Sequence, residues 1–433
     1  MTQTAHTARA QDYSFRLRDG LLGAQMLCVA FGSLVLVPLL TGLDPNVALF
    51  TAGLGTLVFQ IVTKGRVPVF LASSFAFIAP IIYGVQAWGI PATLGGLMAA
   101  GMVYLVLSAL IAWRGVELIE RVLPPVVTGP VIMVIGLVLA PVAVNLATGH
   151  NGTGDQTLVA STPAMIVAGV SLVATLTVSL LGRGFVALLP IIIGVASGYI
   201  AALCLGLVDL STVANAPWFA VPNFVAPTFN WQAVLFMLPV AIAPAIEHFG
   251  DIIAIRSVTG RDYLVDPGIH RTMLGDGLAT SLAACFGGPP NTTYSEVTGA
   301  VTLTGATNPA LMTWAAGFAI VFSFGGKLGA FLASIPTPVM GGIIVLLFGA
   351  IVVVGMNSLV QSGEDLTESR NMAIVGLILI CGIGGLHFSF GRFSLEGIAL
   401  AGVLGVVLNL VLPRSRSAQD RAAAAGVEDD ETG

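Results

Sequence analysis

Three carboxylates lie within apolar stretches of the 433-residue chain, where they are suited to bind protons or to accept hydrogen bonds from a ligand. Glu247 and Asp251 stand four residues apart in the segment PAIEHFGD, so a helix presents both on one face. Glu296 begins a second apolar segment. An ionised carboxylate at the centre of a bilayer costs about 2.5–3.5 kcal/mol, so these acids are expected to be functional, the alternative being that they lie at a membrane surface and are solvated. Four acids closer to the ends of apolar stretches are expected to be solvated: Glu117, Glu120, Asp276 and Glu396.

Two short segments must position these acids. Residues 69–80 and 287–296 each pass from extended-looking residues into a short helix, with hydroxyl side chains at the junction that are suited to N-capping. Extended backbone at membrane depth must pair or line a wet cavity, so the two pieces are predicted to pair as short strands. Two helix N-termini would then point at one place, where free N–H groups donate to a ligand carbonyl. The alternative is two re-entrant loops that only pack.

The composition is that of a polytopic membrane protein. The chain is 56% hydrophobic and 9% charged, with a mean hydropathy of +0.95, whereas a soluble chain is about 25% charged. The net charge of −5 and the lack of a long basic run argue against nucleic-acid binding. The four cysteines and five histidines show no metal-ligand spacing, and no nucleophile–base motif is present, so neither a cofactor nor an enzyme is expected. No removable signal peptide is predicted.

Hydropathy and charge together predict fourteen membrane segments. Two half-spans lie near 74–84 and 295–304, and twelve full spans lie near 21–40, 46–63, 91–112, 123–143, 161–181, 185–207, 231–253, 270–287, 310–328, 336–356, 370–386 and 393–412. If each half-span counts as one pass and both termini are cytoplasmic, 15 of the 17 Lys and Arg residues fall inside, and only Lys327 and Arg392 fall outside.

The two halves of the chain resemble each other. The matching pairs are LPPVVTG at 123–129 with IPTPVMG at 335–341, GR at 182–183 with GR at 391–392, and SSF at 73–75 with TTY at 292–294. Seven segments per copy is an odd number, so the second copy is predicted to be inverted across the membrane. Short interrupted segments at matching places of inverted halves indicate a transporter's binding site.

Long ordered motifs carry a resemblance to a known family. They are FG at 31–32, GLGTL at 53–57, KGRVP at 64–68, SSFAF at 73–77, AIEH at 245–248, DPGIHR at 266–271 and PNTTYSE at 290–296. From about Gln25 to Leu410 the chain is similar to the nucleobase–ascorbate transporter family (nucleobase:cation symporter-2, or xanthine/uracil permeases), and within it to bacterial uracil permeases.

The resemblance implies an all-α fold of fourteen segments in a seven-plus-seven inverted repeat, with segments 3 and 10 each a short β-strand plus a half-helix. It implies a core domain (21–115 and 231–328), a gate domain (116–215 and 335–412) and cytoplasmic tails at 1–20 and 413–433. It also implies a homodimer through the gate domain in the inner cell membrane.

The function that the resemblance implies is import of uracil by symport with a proton, between core and gate. Glu247 and Glu296 would accept the ring N–H groups, and the backbone N–H groups of Phe75 and Ser295 would donate to the carbonyls. Tyr294 would support the acidic helix by hydrogen bonding, and Ser74 would lie at the same junction. Glu247 and Asp251 would couple the proton.

The sequence departs from that pattern at three places. Asp251 replaces a His, Met26 replaces the His of a Gln-His pair, and Phe348 replaces a gate-domain Tyr near the substrate. A proton- or sodium-coupled xanthine or urate permease stays open, although purine-selective members tend to carry an amide at position 296. An anion transporter of the same fold is disfavoured because such carriers favour a basic residue near the half-helix N-termini.

Overall fold

The computed structural model describes residues 10–115, 121–184, 186–390 and 393–413. The predicted GR match at 391–392, the acids Glu117 and Glu120, and the terminal residues 1–9 and 414–433 therefore lie outside the described residues. The described elements are α1 (Gly20–Thr41), α2 (Pro45–Val62), β1 (Leu71–Ser73), α3 (Ile78–Trp88), α4 (Ile90–Arg114), α5 (Pro125–Val138), α6 (Ala140–Ala147), α7 (Ser161–Leu181), α8 (Pro190–Cys204), α9 (Ser211–Asn215), α10 (Trp231–Val240), α11 (Ile242–Thr259), α12 (Ile269–Phe286), β2 (Asn291–Thr293), α13 (Ser295–Thr304), α14 (Ala310–Ser323), α15 (Gly326–Ala333), α16 (Thr337–Ser362), α17 (Ser369–Ile383), β3 (His387–Phe390), β4 (Phe393–Glu396) and α18 (Gly397–Val411).

Helices dominate, as the composition predicts. Seven helical stretches in the described part of the chain are long and apolar enough to cross a membrane, and five shorter apolar helices accompany them. The prediction of a multi-pass membrane protein is thereby confirmed.

Prolines break two of the predicted continuous spans. Within the span predicted at 123–143, α5 ends at Val138 and α6 begins at Ala140, with Pro141 as its second residue. The span predicted at 231–253 is divided into α10 and α11 beside Pro239 and Pro244. Proline removes a backbone donor and clashes with the preceding turn, which explains both breaks. The block predicted at 393–412 is wrong at its start, because its first four residues form β4 and pair with β3.

The helices pack in two groups. In the first, α12 packs on α2 and α4, α14 packs on α1 and α2, and α10 packs on α4. In the second, α16 packs on α5, α6, α7 and α8, while α17 and α18 pack on each other and on α5. The groups meet where α11 contacts α5 and α18, and where α1 contacts α8. The strands β1 and β2 lie within the first group.

Small residues allow α12 and α4 to cross closely in the first group. A Cβ added at Gly277 of α12 would lie 2.9 Å from the Gly101 carbonyl oxygen of α4, and one added at Gly101 would lie 2.7 Å from the Ser281 nitrogen. In a membrane the hydrophobic effect does not drive helices together, so their association depends on close packing. Small residues permit that packing because they let two helix backbones approach each other.

Arginines and aspartates gather at one end of the first helix group. Asp266 forms ion pairs with Arg66 and with Arg261, and Arg256 pairs with Asp262 at 3.0 Å. The segment predicted as a tail crosses this end: Phe15 stacks on Trp314 with ring centroids 4.6 Å apart. The described residues 10–19 are therefore packed against the helices.

Candidate functional site

The strands of the two halves meet in one antiparallel pair. Leu71 lies opposite Thr293 and Ser73 lies opposite Asn291, and all six strand residues are buried. The Ser74 N–H donates to the Pro290 carbonyl at 2.9 Å and extends the pairing. Because each strand leads directly into a short helix, the pairing brings the starts of those helices together.

Side chains of α2 and α12 satisfy the open edges of this two-stranded sheet. Thr56 Oγ1 accepts from the Leu71 N–H at 3.0 Å, and Thr280 Oγ1 donates to the Asn291 carbonyl at 2.8 Å. Asp276 Oδ1 accepts from the Thr293 N–H at 3.0 Å. Unpaired backbone groups are costly at membrane depth, so these contacts are what permit a sheet there.

The first half-helix comprises a 3₁₀ turn at Phe75–Phe77 followed by α3, and the second is α13, which begins at Ser295. Their N-cap residues are Ser74 and Tyr294, both with extended backbone, and neither forms a side-chain cap. The expectation that junction hydroxyls cap these helices is wrong, because the Ser74 hydroxyl has no hydrogen-bond partner in the described part of the structure. Neither N-cap side chain therefore accepts a hydrogen bond from the first N–H groups of its half-helix.

The three predicted acids lie around these junctions. Asp251 of α11 is buried and accepts a 2.8 Å hydrogen bond from Thr293 Oγ1. Glu247, one turn earlier, is near enough to Glu296 for their charges to interact, and its Oε2 atom is buried without a hydrogen-bond partner among the described residues. Glu296 lies in the first turn of α13 and lines a cavity of about 200 Å³ together with Cys28 and Ile191.

Two buried polar residues next to the predicted acids escaped the sequence analysis. Asp276 was expected to be solvated, but it is fully buried beside β2, and that expectation is wrong. His248, also fully buried, places Nδ1 3.4 Å from Asp276 Oδ2 and 3.3 Å from Thr293 Oγ1. A signal was available, because Thr272, Asp276 and Thr280 recur every fourth residue and so form one polar face on α12.

Aromatic rings connect the first half-helix to the second helix group. Phe348 of α16 is 2% exposed, and its ring lies edge-on to Phe75 at a centroid distance of 6.0 Å. The Tyr294 ring also lies near Phe75, with ring centroids 6.3 Å apart. Thr293 donates the side-chain hydrogen bond that joins β2 to Asp251 of α11.

Two uncapped half-helices that meet among buried acids, in a multi-pass helical protein, are the arrangement of a secondary membrane transporter. Within the described residues, no group of three metal-ligating side chains is found.

Comparisons with known proteins agree with this class. The model of the permease family Xan_ur_permease matches residues 20–389, and the chain belongs to this family. A protein of Haemophilus influenzae described as a probable uracil permease is 53% identical over 417 residues, which cover 96% of this chain and 99% of that protein. The uracil permease of Bacillus caldolyticus is 45% identical over 90% of this chain and 91% of its own length. Family membership indicates a transporter rather than an enzyme.

Among solved structures, SLC26A9, whose murine form is described as an anion transporter, matches with a TM-score of 0.66 at 13% sequence identity. The match covers 91% of this chain, whereas the chain spans only 65% of the SLC26A9 chain. At this identity the similarity concerns the fold alone.

Proposed function

We propose that the protein imports uracil together with a proton, binding uracil where the two half-helices meet. The observation that carries this proposal is the buried, unpartnered Oε2 of Glu247 beside two half-helix N-termini without side-chain caps. Buried acceptors and donors that lack partners indicate a ligand that supplies them. The names of the relatives support uracil as that ligand.

Uracil is neutral and offers two N–H donors and two carbonyl acceptors. Glu247 and Glu296 accept from the N–H groups, while the backbone N–H groups of Phe75 and Ser295 donate to the carbonyls. Hydrogen bonds to charged groups contribute about 1.5–3 kcal/mol each, so the two carboxylates contribute roughly 3–6 kcal/mol. The binding position borders Ser74 and Tyr294, and Phe348 closes it from the side of α16.

The architecture proposed for transport is the fourteen-segment inverted repeat. The helix group that contains the strands corresponds to the core domain (21–115 and 231–328), and the group around α16 corresponds to the gate domain (116–215 and 335–412). Support comes from the prolines that precede matching helices: Pro124 is the N-cap of α5, and Pro336 is the N-cap of α16. Cytoplasmic termini, an inner-membrane location and a dimer through the gate domain belong to the same proposal. The arginines gathered near Asp266 favour a cytoplasmic position for that end.

A neutral substrate needs a coupled ion for accumulation. One proton supplies about 2.3 kcal/mol per 100 mV and about 1.4 kcal/mol per pH unit, so together roughly 3.7 kcal/mol, or several hundredfold accumulation. Glu247 and Asp251 are proposed as the pair that couples proton transport to uracil transport, since both lie on one face of α11 and Asp251 accepts a hydrogen bond from Thr293 of β2. No cofactor is required. The acidic site disfavours an anion as substrate, and a carboxylate at position 296 disfavours a purine.

The experiment is a thermal-shift screen of the purified protein against uracil, thymine, xanthine, urate and bicarbonate, followed by uptake in proteoliposomes with an inward proton gradient. We expect stabilisation by uracil and gradient-driven uracil uptake. Stabilisation by xanthine without a response to uracil would make the substrate assignment wrong. Uracil uptake that follows a sodium gradient but not a proton gradient would make the coupling assignment wrong.

A further inference from the structure

A buried polar chain lies behind the proposed uracil position and has no role in binding it. Thr293 Oγ1 is 2.8 Å from Asp251 Oδ2 and 3.3 Å from His248 Nδ1. The same nitrogen is 3.4 Å from Asp276 Oδ2, an atom that has no hydrogen-bond partner in the described part of the chain. His248 Nε2 is 3.0 Å from Thr272 Oγ1. Two side chains, Thr293 and His248, therefore connect Asp251 to a second, enclosed carboxylate, that of Asp276.

Two hydrogen-bond orders fit the same heavy-atom positions. In the first, His248 carries the extra proton: Nδ1–H donates towards Thr293 and Asp276, and Thr293 donates to Asp251. In the second, Asp251 carries it and donates to Thr293 Oγ1, which donates to an unprotonated Nδ1. In both, Nε2–H donates to Thr272, whose own hydroxyl donates to a backbone carbonyl one turn earlier at 3.0 Å. The two hydrogen bonds between Asp251 and His248 are kept when the proton moves, whereas Asp276 Oδ2 faces an N–H group of His248 only in the first order.

We propose that His248, facing Asp276, holds the coupling proton after it leaves Asp251 through the Thr293 hydroxyl. The inference rests on the proposed proton symport and names a residue that the binding site does not contain. In the transfer, the Asp251 carboxyl proton passes to Thr293 Oγ1 while the Thr293 hydroxyl proton passes to Nδ1. Neutral Asp251 and neutral His248 become a carboxylate and an imidazolium, so charge is conserved. His248 acts on uracil through other residues and is a positioning residue.

Acidic groups lie around His248. Glu247 and Asp251 lie on its own helix, and Asp276 lies on α12 with its Oδ2 atom 3.4 Å from His248 Nδ1. Glu296, on α13, is near Glu247. The phenol of Tyr104 on α4 is near Asp276 and Glu247, and its hydroxyl is buried without a partner among the described residues. Within the described residues, the ion pairs of Arg and Lys side chains involve none of these acids, so His248 is the basic side chain observed against them there.

The main test compares His248→Asn with the wild type. The Asn amide can donate in place of Nδ1 but does not titrate, so we expect a uracil-induced thermal shift and uracil counterflow without a gradient. Stimulation of uptake by a pH gradient of one unit should fall at least tenfold, and uracil-induced proton entry, followed with a pH dye inside the vesicles, should disappear. Wild-type gradient stimulation in His248→Asn would overturn the proposal.

A second pair of variants decides the matter if His248→Asn does not fold. Thr293→Val removes the bridging hydroxyl, whereas Thr293→Ser keeps it. We expect the Val variant to lose proton entry and the Ser variant to retain it. Equal behaviour of the two would show that the hydroxyl does not carry the proton. Failure of the uracil assignment is distinguishable, because the wild type itself would then show no uracil-induced thermal shift.

Discussion

The two half-helices share a geometry but differ in chemistry. Each follows a three-residue buried strand, and neither has a side-chain cap. The first opens with Phe75 and Phe77, both buried, and its neighbour across the helix groups is Phe348. The second opens with Ser295 and Glu296. The shared geometry presents two sets of N–H groups, while the acidic groups belong to the second half of the chain.

The same contrast appears at the edges of the sheet. In the first half of the chain a neutral residue, Thr56, hydrogen-bonds the backbone of β1. In the second half Asp276 joins the neutral Thr280 in hydrogen-bonding the backbone of β2, and Thr293 of that strand connects it to α11. The comparison teaches that the two halves supply similar backbone frames, and that the acids in the second half supply the groups that we propose as acceptors for substrate N–H groups and as a site for a proton.

Removing the charge of Glu247 or Glu296 should have the largest effect on uracil binding. Glu247→Gln and Glu296→Gln each replace a charged acceptor by an amide, which costs about 1.5–3 kcal/mol of binding. We expect the Kd for uracil to rise by roughly 10- to 150-fold in each variant, measured by calorimetry or thermal shift. The matched control is Glu364→Gln, an exposed acid in the second helix group, which should bind as the wild type does. Wild-type affinity in both site variants would remove the acids from the binding site.

Replacing the threonines at the sheet edges shows how much each edge, at β1 and at β2, contributes to the stability of the protein. Thr56→Val leaves the Leu71 N–H without its acceptor, and Thr280→Val leaves the Asn291 carbonyl without its donor. An unsatisfied buried group costs about 1–3 kcal/mol, and an orphaned N–H is tolerated less often than a carbonyl, which has two lone pairs. We therefore expect both variants to melt at lower temperature, with Thr56→Val the lower of the two.

The control for these threonines is Thr177→Val, whose exposed hydroxyl bonds only a carbonyl of its own helix. Its melting temperature should match the wild type, since surface changes are usually within about 0.5 kcal/mol. If Thr56→Val melts like this control, the β1 edge is not held by Thr56.

Much of this frame could be predicted from the sequence, because apolar length sets where helices cross and an interrupted segment stands out within it. The positions of Glu247, Asp251 and Glu296 followed from the cost of burying charge. The burial of Asp276 could not be predicted in the same way, because its distance from the end of an apolar stretch does not reveal that β2 packs beside it. The breaks within α5–α6 and α10–α11 depend on prolines whose effect hydropathy does not register.

Capping was mispredicted for a related reason. Ser74 has the residue type of an N-cap, but in a paired strand the direction of its side chain follows the strand rather than the helix. The resemblance names Tyr294 as the residue that supports α11, and its neighbour Thr293 also reaches that helix, through a hydrogen bond to Asp251.

The smallest effect on stability and uracil affinity should come from Phe348→Tyr, which adds a hydroxyl group beside Phe75. The ring is 2% exposed and lies edge-on to Phe75, so the new hydroxyl would enter a buried position beside an aromatic ring. Without ligand it should lower the melting temperature by about 1–4 °C, the cost of an unsatisfied buried hydroxyl. If uracil binds against Phe75, a uracil carbonyl supplies the missing acceptor, so the uracil-induced thermal shift should grow and the Kd should fall about two- to fivefold. Phe322→Tyr is the matched control, because that ring is 45% exposed at the C-terminal end of α14 and a hydroxyl there would not be enclosed by protein, which leaves both measurements unchanged. A uracil-induced shift no larger than that of the wild type would mean that α16 does not face the substrate. The contact between Phe75 and Phe348 would then contribute to packing alone.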